Sequence, residues 1–281
     1  MLALLLSCTS PVAPPPDPPA PAVSAVQAPP PPHTVYPSAA DALRALLEQK
    51  PVVLGVGEVH ASTERPGLPS TISRFTAELL PVLAPRTTDL VIETWRMESA
   101  CGAPAEQVVS QVEVETKRPE ETKDEIVLLA ERAVELGVRP HDLPVSCAEY
   151  PTLLDEQGEV AYDRLLRLLT LKLGAFADAA LDAADATMVL YGGAMHNDVF
   201  PSEDLRDYSY GVEARGRGGA RYMELDLYQP ELLVGREALL EEAWAPLLEG
   251  VVGPDRAVLY ERGAGSYVLF LPTLPEGRTA P

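Results

Sequence analysis

Positive charge, cysteine and long apolar runs are all scarce in this sequence, and each scarcity excludes a class of protein. The 281 residues carry 22 Lys and Arg against 42 Asp and Glu, a formal net charge of −20 at pH 7. Nucleic-acid binding is therefore not expected, because few basic groups are available to neutralise phosphates. The sequence lacks an apolar run of roughly 18 residues, which argues against a transmembrane bundle. The three cysteines form no Cys-x-x-Cys pair, which argues against a zinc knuckle.

The amino-terminal segment predicts an exported, lipid-anchored protein. Residues 1–8 read Met-Leu-Ala-Leu-Leu-Leu-Ser-Cys, and this run resembles a shortened bacterial lipobox without its basic start, in which Cys8 takes the lipid. Residues 9–37 are dense in proline, and such a segment behaves as a semi-rigid extended spacer. We therefore expect one domain at 38–272, with a short tail at 273–281. The lipid would be the only attachment of this domain to a membrane, and we expect that membrane to be the outer membrane of a bacterial cell envelope.

The rest of the chain alternates predicted strands with predicted helices. Ser38 and Asp41 have the spacing of a helix N-terminal capping box, and Pro81 is expected to kink or shorten a later helix. Apolar residues recur at helical spacing at 43–47, 72–83, 123–136 and 162–186. Buried strands are predicted at 52–56, 90–92, 138–144, 188–191 and 221–228, and a β-hairpin at 257–271. We expect an α/β fold, a mostly parallel central sheet with helices on both faces and a C-terminal β-hairpin.

Ionisable side chains stand at the ends of three predicted strands. Glu58 and His60 follow the first strand, Glu93 ends the second, and His196 follows a glycine pair after a late strand. Because the carboxyl ends of parallel strands meet at one edge of a sheet, where ligands collect, we expect these four side chains to surround one pocket. A structural ion pair of Glu93 with a nearby arginine is the alternative for that residue.

These motifs resemble the EreA/ChaN-like (Tiki/TraB) superfamily, closest to the pattern of the ChaN-type haem-binding lipoproteins. The resemblance rests on Gly57-Glu58-Val59-His60, on Glu93 and on Gly193-Ala194-Met195-His196. His141-Asp142-Leu143-Pro144 lies where ChaN-like chains carry a short strand and a proline, so His141 and Asp142 are candidate pocket residues. The resemblance implies an α/β fold with a polar pocket. It also implies an activity that differs between members, which include erythromycin esterases, haem-binding lipoproteins and Tiki proteases.

Two imidazoles and two carboxylates around one centre suit a borderline divalent ion such as zinc, manganese or cobalt. On this hypothesis His60, Glu93 and His196 hold the ion, and Glu58 is the general base. In a metal-free version, His60 is the general base, a glutamate orients it, and His196 polarises the substrate. Either version predicts hydrolysis of an ester or peptide-like bond in a small-molecule or peptide-like substrate. The alternative is a lipoprotein that binds haem or a metal ion without turnover.

Two cysteines follow predicted strand ends at the same edge. Cys101 lies in a polar segment at 97–120, and Cys147 lies in the loop after the 138–144 strand. In an oxidising, exported compartment this pair would close a disulfide and tie the two loops together. Both thiols remaining reduced is the alternative.

Overall fold

A computed structural model describes residues 30–60, 68–97, 121–183 and 186–274. These residues form one eight-stranded sheet in the order β1-β7-β8-β6-β2-β5-β3-β4. The strands are β1 His33–Tyr36, β2 Val53–Glu58, β3 Thr87–Met97, β4 Arg139–Val145, β5 Thr187–Gly193, β6 Tyr222–Tyr228, β7 Ala257–Gly263 and β8 Ser266–Phe270.

The sheet is mostly parallel but mixed. β2 lies at its centre and pairs in parallel with β5 and β6, and the pairs β3–β4, β3–β5 and β6–β8 are parallel too. β7 pairs antiparallel with β8 and with β1. The predicted α/β class and C-terminal hairpin are therefore confirmed, and the antiparallel pairing of β1 with β7 is an addition that the sequence did not predict. The parallel centre brings the carboxyl ends of β2, β3, β5 and β6 to one edge.

Helices cover the sheet in two groups. They are α1 Ala39–Leu47, α2 Thr71–Arg74, α3 Leu80–Leu83, α4 Glu121–Glu135, α5 Tyr150–Leu153, α6 Tyr162–Ala183, α7 Ala194–Asn197, α8 Gly211–Gly218, α9 Pro230–Leu233 and α10 Glu237–Leu240. A π-helix spans Phe75–Leu79, and 3-10 turns span Ala84–Arg86, Arg206–Tyr208, Gly219–Arg221 and Ala245–Leu248. None of the helices in the described part of the chain is long and apolar enough to cross a bilayer.

The pleat of the strands separates two buried clusters. Leu54 of β2 packs in a cluster with Leu43 of α1 and Leu129 of α4, whereas its neighbour Val53 packs with Leu169 of α6 and Ala214 of α8. Successive side chains of a strand point to opposite faces, so these two clusters are the two faces of the sheet. A smaller third cluster forms where Tyr228, Trp244 and Phe270 pack together.

Two local features that the sequence predicts appear in the helices. Ser38 caps α1 as predicted, because its hydroxyl accepts the backbone N–H of Asp41 at 3.1 Å. The helical stretch predicted at 72–83 is interrupted by the π-helix just before Pro81, which has no N–H for the carbonyl four residues earlier. Phe75, the first residue of this interruption, is buried in the core against Tyr191 of β5.

The linker predicted at residues 9–37 ends earlier in the chain than expected. Residues 33–36 form β1 and pair with Ala257–Tyr260 of β7. This four-residue stretch contains no proline, so its backbone N–H groups can join the ladder, which the prolines before it cannot do. Cys8, residues 9–29 of the linker, residues 98–120 and residues 275–281 of the tail lie outside the described residues.

Candidate functional site

The end of β2 positions the first pair of predicted site residues. Glu58 is the last residue of β2 and is 7 % exposed. Its carboxylate binds two donors with two different oxygens. The Tyr191 hydroxyl donates to Oε2 at 2.6 Å, and Oε1 lies 2.8 Å from Nδ1 of His60. A carboxylate only accepts, so Nδ1 of His60 carries the hydrogen and Nε2 keeps its lone pair.

Glu93 approaches the same centre from the neighbouring part of the sheet. It lies within β3 and not at the strand end predicted from the sequence, because β3 pairs with β4 beyond Glu93 and ends only at Met97. Glu93 is 8 % exposed and accepts the backbone N–H of Gly193 through Oε2 at 2.6 Å. A Cβ atom at Gly192 would collide with this carboxylate, so the glycine at that position lets Glu93 lie across the end of β5. The arginines considered as alternative partners have other carboxylates close by: Arg96 pairs with Asp142 at 2.7 Å and Arg74 with Glu78 at 3.0 Å.

His196 is held by α6 and by a main-chain carbonyl. The ring is 3 % exposed, and its Nδ1 lies 2.9 Å from the carbonyl oxygen of Tyr208 and 2.9 Å from the hydroxyl of Thr170. Thr170 also donates its own hydrogen to the carbonyl of Leu166 at 2.8 Å. Nδ1 of His196 is therefore the donor, and in the neutral form of the ring the lone pair is on Nε2.

The structure thus brings together all four residues that the strand ends predicted. Nε2 of His196 lies 3.6 Å from Oε1 of Glu93, and Nε2 of His60 lies 4.0 Å from Oε2 of the same carboxylate. Both imidazoles therefore direct Nε2 towards Glu93, while Nδ1 is held by a hydrogen bond on the other side of each ring.

The donor atoms of His60, Glu93 and His196 are of the types that bind a metal ion, but the distances between them match a metal site less closely. Donors about 2.1 Å from a tetrahedral ion lie roughly 3.4 Å apart, which the His196–Glu93 separation approaches and the His60–Glu93 separation exceeds. Among the residues that the structure describes, no group of three or more His, Cys, Asp and Glu side chains is arranged to hold an ion. Two imidazoles oriented through Nδ1 are nevertheless the usual pattern around a metal.

The two candidate pocket residues of β4 lie against other partners. His141 Nε2 is 2.7 Å from Oδ1 of Asp89, and its ring packs 5.5 Å from that of Phe176. Burial raises the pKa of Asp89, but hydrogen bonds from His141 and Arg139 outweigh burial and hold the pKa below its usual value. Asp142 accepts a hydrogen bond from Arg96. Asp89 lies four residues before Glu93 in β3. The His141–Asp89 pair is therefore nearer the amino-terminal end of β3 than Glu93 is.

Cys147 is disulfide-bonded. Cys101, the partner expected from the sequence, lies outside the described residues, as does Cys8.

A second set of buried charges adjoins the site, and the sequence did not predict it. Glu224 and Asp226 of β6 are 0 % and 2 % exposed, although charged residues alternating with apolar ones usually lie on a solvated face. Arg262 of β7 donates to Glu224 at 2.9 Å and to Asp198 at 3.1 Å, and lies 3.9 Å from Asp226. Burial raises the pKa of Glu224 well above its usual value and that of Asp226 to about 7, against the opposing effect of Arg262.

Asn197 connects these charges to the predicted site. Its amide nitrogen donates to Asp226 Oδ1 at 3.0 Å and to the carbonyl of Gly55 in β2 at 3.3 Å. Gly57 leaves the room for this contact, because a Cβ there would lie 2.5 Å from Asn197 Oδ1 and 2.6 Å from the Cα of Ala194. Because Asn197 directly follows His196, the buried charges brace the short helix that carries this imidazole.

Comparison with known proteins adds one distant likeness. No family model and no curated protein matches this chain. The chain is similar to the solved structure of the type III effector HopBA1, with a TM-score of 0.43 and 12 % sequence identity. The match covers 85 % of this chain and 97 % of that chain. A likeness at this level carries no argument about the activity, which leaves the geometry of the site as the guide to function.

Proposed function

We propose that this edge of the sheet is a hydrolytic site for an ester or peptide-like bond, in a protein of the EreA/ChaN-like type. The observation that carries the proposal is the 2.8 Å contact between His60 Nδ1 and the Glu58 carboxylate. A histidine whose Nδ1–H is bound by a buried carboxylate presents Nε2 as a base. The His60 side chain is 31 % exposed, so water and a substrate can reach it, whereas Glu58 is enclosed.

In the proposed reaction, His60 Nε2 takes a proton from water as the water oxygen bonds to the acyl carbon of the substrate. The Glu58 carboxylate stabilises the imidazolium that forms. The proton then passes to the leaving oxygen or nitrogen as its bond to the acyl carbon breaks, which restores neutral His60. The contacts of Glu58 with Tyr191 and His60 favour this orienting role over the general-base role expected from the sequence.

His196 and Glu93 form the opposite side of the proposed site. Because Nδ1 of His196 donates to the Tyr208 carbonyl, Nε2 carries a hydrogen only in the imidazolium form. The Glu93 carboxylate at 3.6 Å supplies the counter-charge for that form. Imidazolium at this position would polarise the substrate carbonyl, as the metal-free version requires.

A metal-assisted form is the second candidate, and it is favoured by the two Nε2 atoms that face one carboxylate. His60, Glu93 and His196 would hold a zinc, manganese or cobalt ion. Such an ion, when bound, supplies Lewis-acid chemistry that acidifies a coordinated water. Glu58 would then orient His60 from outside the ligand set.

Activity on a panel of p-nitrophenyl esters and chromogenic peptides tests the proposal. We expect His60→Ala and Glu58→Gln to lower kcat/KM at least tenfold, because they remove the base and its orienting partner. The matched control is His141→Ala, which removes a similarly exposed histidine paired with Asp89. No turnover of any member of the panel by the wild-type protein would refute a hydrolase of this class.

Two binding measurements separate the remaining alternatives. Elemental analysis of protein purified without chelator should find stoichiometric metal in the wild type and none in His196→Ala if the metal-assisted form is right. A haemin titration followed by absorbance tests the rival, a haem-binding lipoprotein without turnover. A sharp Soret shift at one equivalent of haem, together with an inactive panel, would replace the hydrolase by the binding protein.

We also propose that the chain is exported and lipid-anchored through Cys8. The disulfide at Cys147 supports an oxidising compartment, since such bonds rarely persist in a reducing cytosol. Metabolic labelling with a radioactive fatty acid tests the anchor. Label in the wild type and none in Cys8→Ser is expected, and equal labelling of both would contradict it.

A further inference from the structure

Tyr191 is a buried phenol in an otherwise apolar setting. It lies in β5 between Val56 of β2 and Ile92 of β3, and is 2 % exposed. Its ring packs against that of Phe75, with centroids 4.4 Å apart and an interplanar angle of 38°. Phenylalanine would fill the same space without a polar atom, and a buried hydroxyl is stable only when it finds an acceptor.

The acceptor of the Tyr191 hydroxyl is the carboxylate that binds His60. The hydroxyl donates to Oε2 of Glu58 at 2.6 Å, a short bond of the kind formed to a charged acceptor. Oε1 of the same carboxylate faces His60 Nδ1. This hydrogen bond, from a donor in the centre of the sheet, opposes rotation of the carboxylate about its last bond. Its other oxygen therefore stays directed at the imidazole.

The packing behind Tyr191 keeps the ring in place. Phe75 is 1 % exposed and begins the π-helix Phe75–Leu79, a rare element that recurs at functional sites. The ring of Phe75 is in contact with the ring of Tyr191 within the buried core. The order of contacts is thus Phe75, Tyr191, Glu58 and His60, from the core to the exposed imidazole.

We infer that Tyr191 is a positioning residue, whose hydroxyl fixes the Glu58 carboxylate and through it the orientation of His60. The inference rests on the proposed function for its effect on turnover, but its structural part concerns only the Glu58–His60 contact. Loss of an outer partner of this kind lowers activity by about 10- to 100-fold. The loss should appear in kcat with KM little changed, because Tyr191 is buried away from the substrate.

The test compares Tyr191→Phe with a matched control, Tyr267→Phe. Tyr267 is also buried, at 7 % exposure, and its hydroxyl is bonded to Gln49. The Nδ1–H of His60, bonded to a carboxylate, should give a downfield proton resonance in the wild type, to be assigned by its absence in His60→Ala. We expect this resonance to broaden or move in Tyr191→Phe and to stay in place in Tyr267→Phe.

The outcomes separate the inference from the proposed function. An unchanged His60 resonance in folded Tyr191→Phe would overturn the inference, whatever the activity. A changed resonance in a protein that turns over no substrate supports the positioning role and counts against the hydrolase. Tyr191→Met, which also lacks the hydroxyl but keeps apolar bulk, replaces Tyr191→Phe if the latter does not fold.

Discussion

Replacement of Asp226 by Asn should remove a pH dependence of stability that the buried charges create. Asp226 is 2 % exposed, and burial raises its pKa from 3.8 to about 7, although Asn197 and Arg262 oppose this. In the unfolded chain the carboxyl loses its proton near pH 4, but in the folded protein it keeps the proton to about pH 7. The folded state therefore holds more protons over this range, and its stability falls as the pH rises.

The size of the effect follows from the difference between the two pKa values. Each tenfold change in proton affinity corresponds to about 1.4 kcal/mol, so ionised Asp226 destabilises the fold by about 4 kcal/mol relative to the protonated form. About 3 kcal/mol of this develops between pH 5 and pH 8. Asparagine does not ionise, and its side-chain oxygen can still accept the hydrogen bond from Asn197.

Urea denaturation at pH 5 and at pH 8 measures the prediction. We expect the free energy of unfolding of Asp226→Asn minus that of wild type to be about 3 kcal/mol larger at pH 8 than at pH 5, so that the variant gains stability relative to wild type as the pH rises. Asp255→Asn is the control, because Asp255 is exposed and pairs with Arg256 on the surface. An equal difference between Asp226→Asn and wild type at the two pH values would refute the reasoning that Asp226 is protonated in the fold.

Three further predictions concern packing, acid stability and the disulfide. Gly57→Ala should lower the free energy of unfolding by about 1–3 kcal/mol, because the new Cβ would lie 2.6 Å from the Cα of Ala194. Gly216→Ala in α8 meets no atom within 4 Å and should raise it by about 0.5–1 kcal/mol. Asp89→Asn should destabilise at pH 7, with the loss disappearing as the pH falls below about 4, because the folded-state pKa of Asp89 is lowered. Reduction by dithiothreitol should lower the unfolding midpoint of the wild type and leave Cys147→Ser unchanged, since a native disulfide contributes about 2–5 kcal/mol.

The alternation of apolar runs was enough to predict the centre of the fold. Val53, Leu90 and Val189 lie in short runs of the kind that form strands buried on both faces, and these runs became β2, β3 and β5. The hairpin at Gly263 and Gly265 was predicted by its glycine turn. Strand β1 was not, because the prolines around residues 29–32 hid a short proline-free strand whose partner is more than 200 residues away.

Part of the site could be predicted because parallel strands end at one edge. Glu58, Glu93 and His196 each follow an apolar run, so these residues can be recognised without knowledge of tertiary packing. The supporting residues could not be predicted this way. Thr170 stands in a leucine-rich helix, and Tyr191 at the end of an apolar strand fits a core as well as a site. Only the packed structure shows that both hydroxyls bind site residues.

The short strand β1 has a mechanical consequence for a domain held by its amino-terminal segment. Any tension on the chain before residue 30 reaches the sheet through His33–Tyr36, which among the described strands lies at the edge and pairs with β7 alone. Such a strand should peel away before the parallel centre yields, and its release would lengthen the spacer by about 14 Å. If the proposed lipid at Cys8 holds the chain at a membrane, the proposed site, built on β2, β3 and β5, would then move farther from that membrane without losing its geometry.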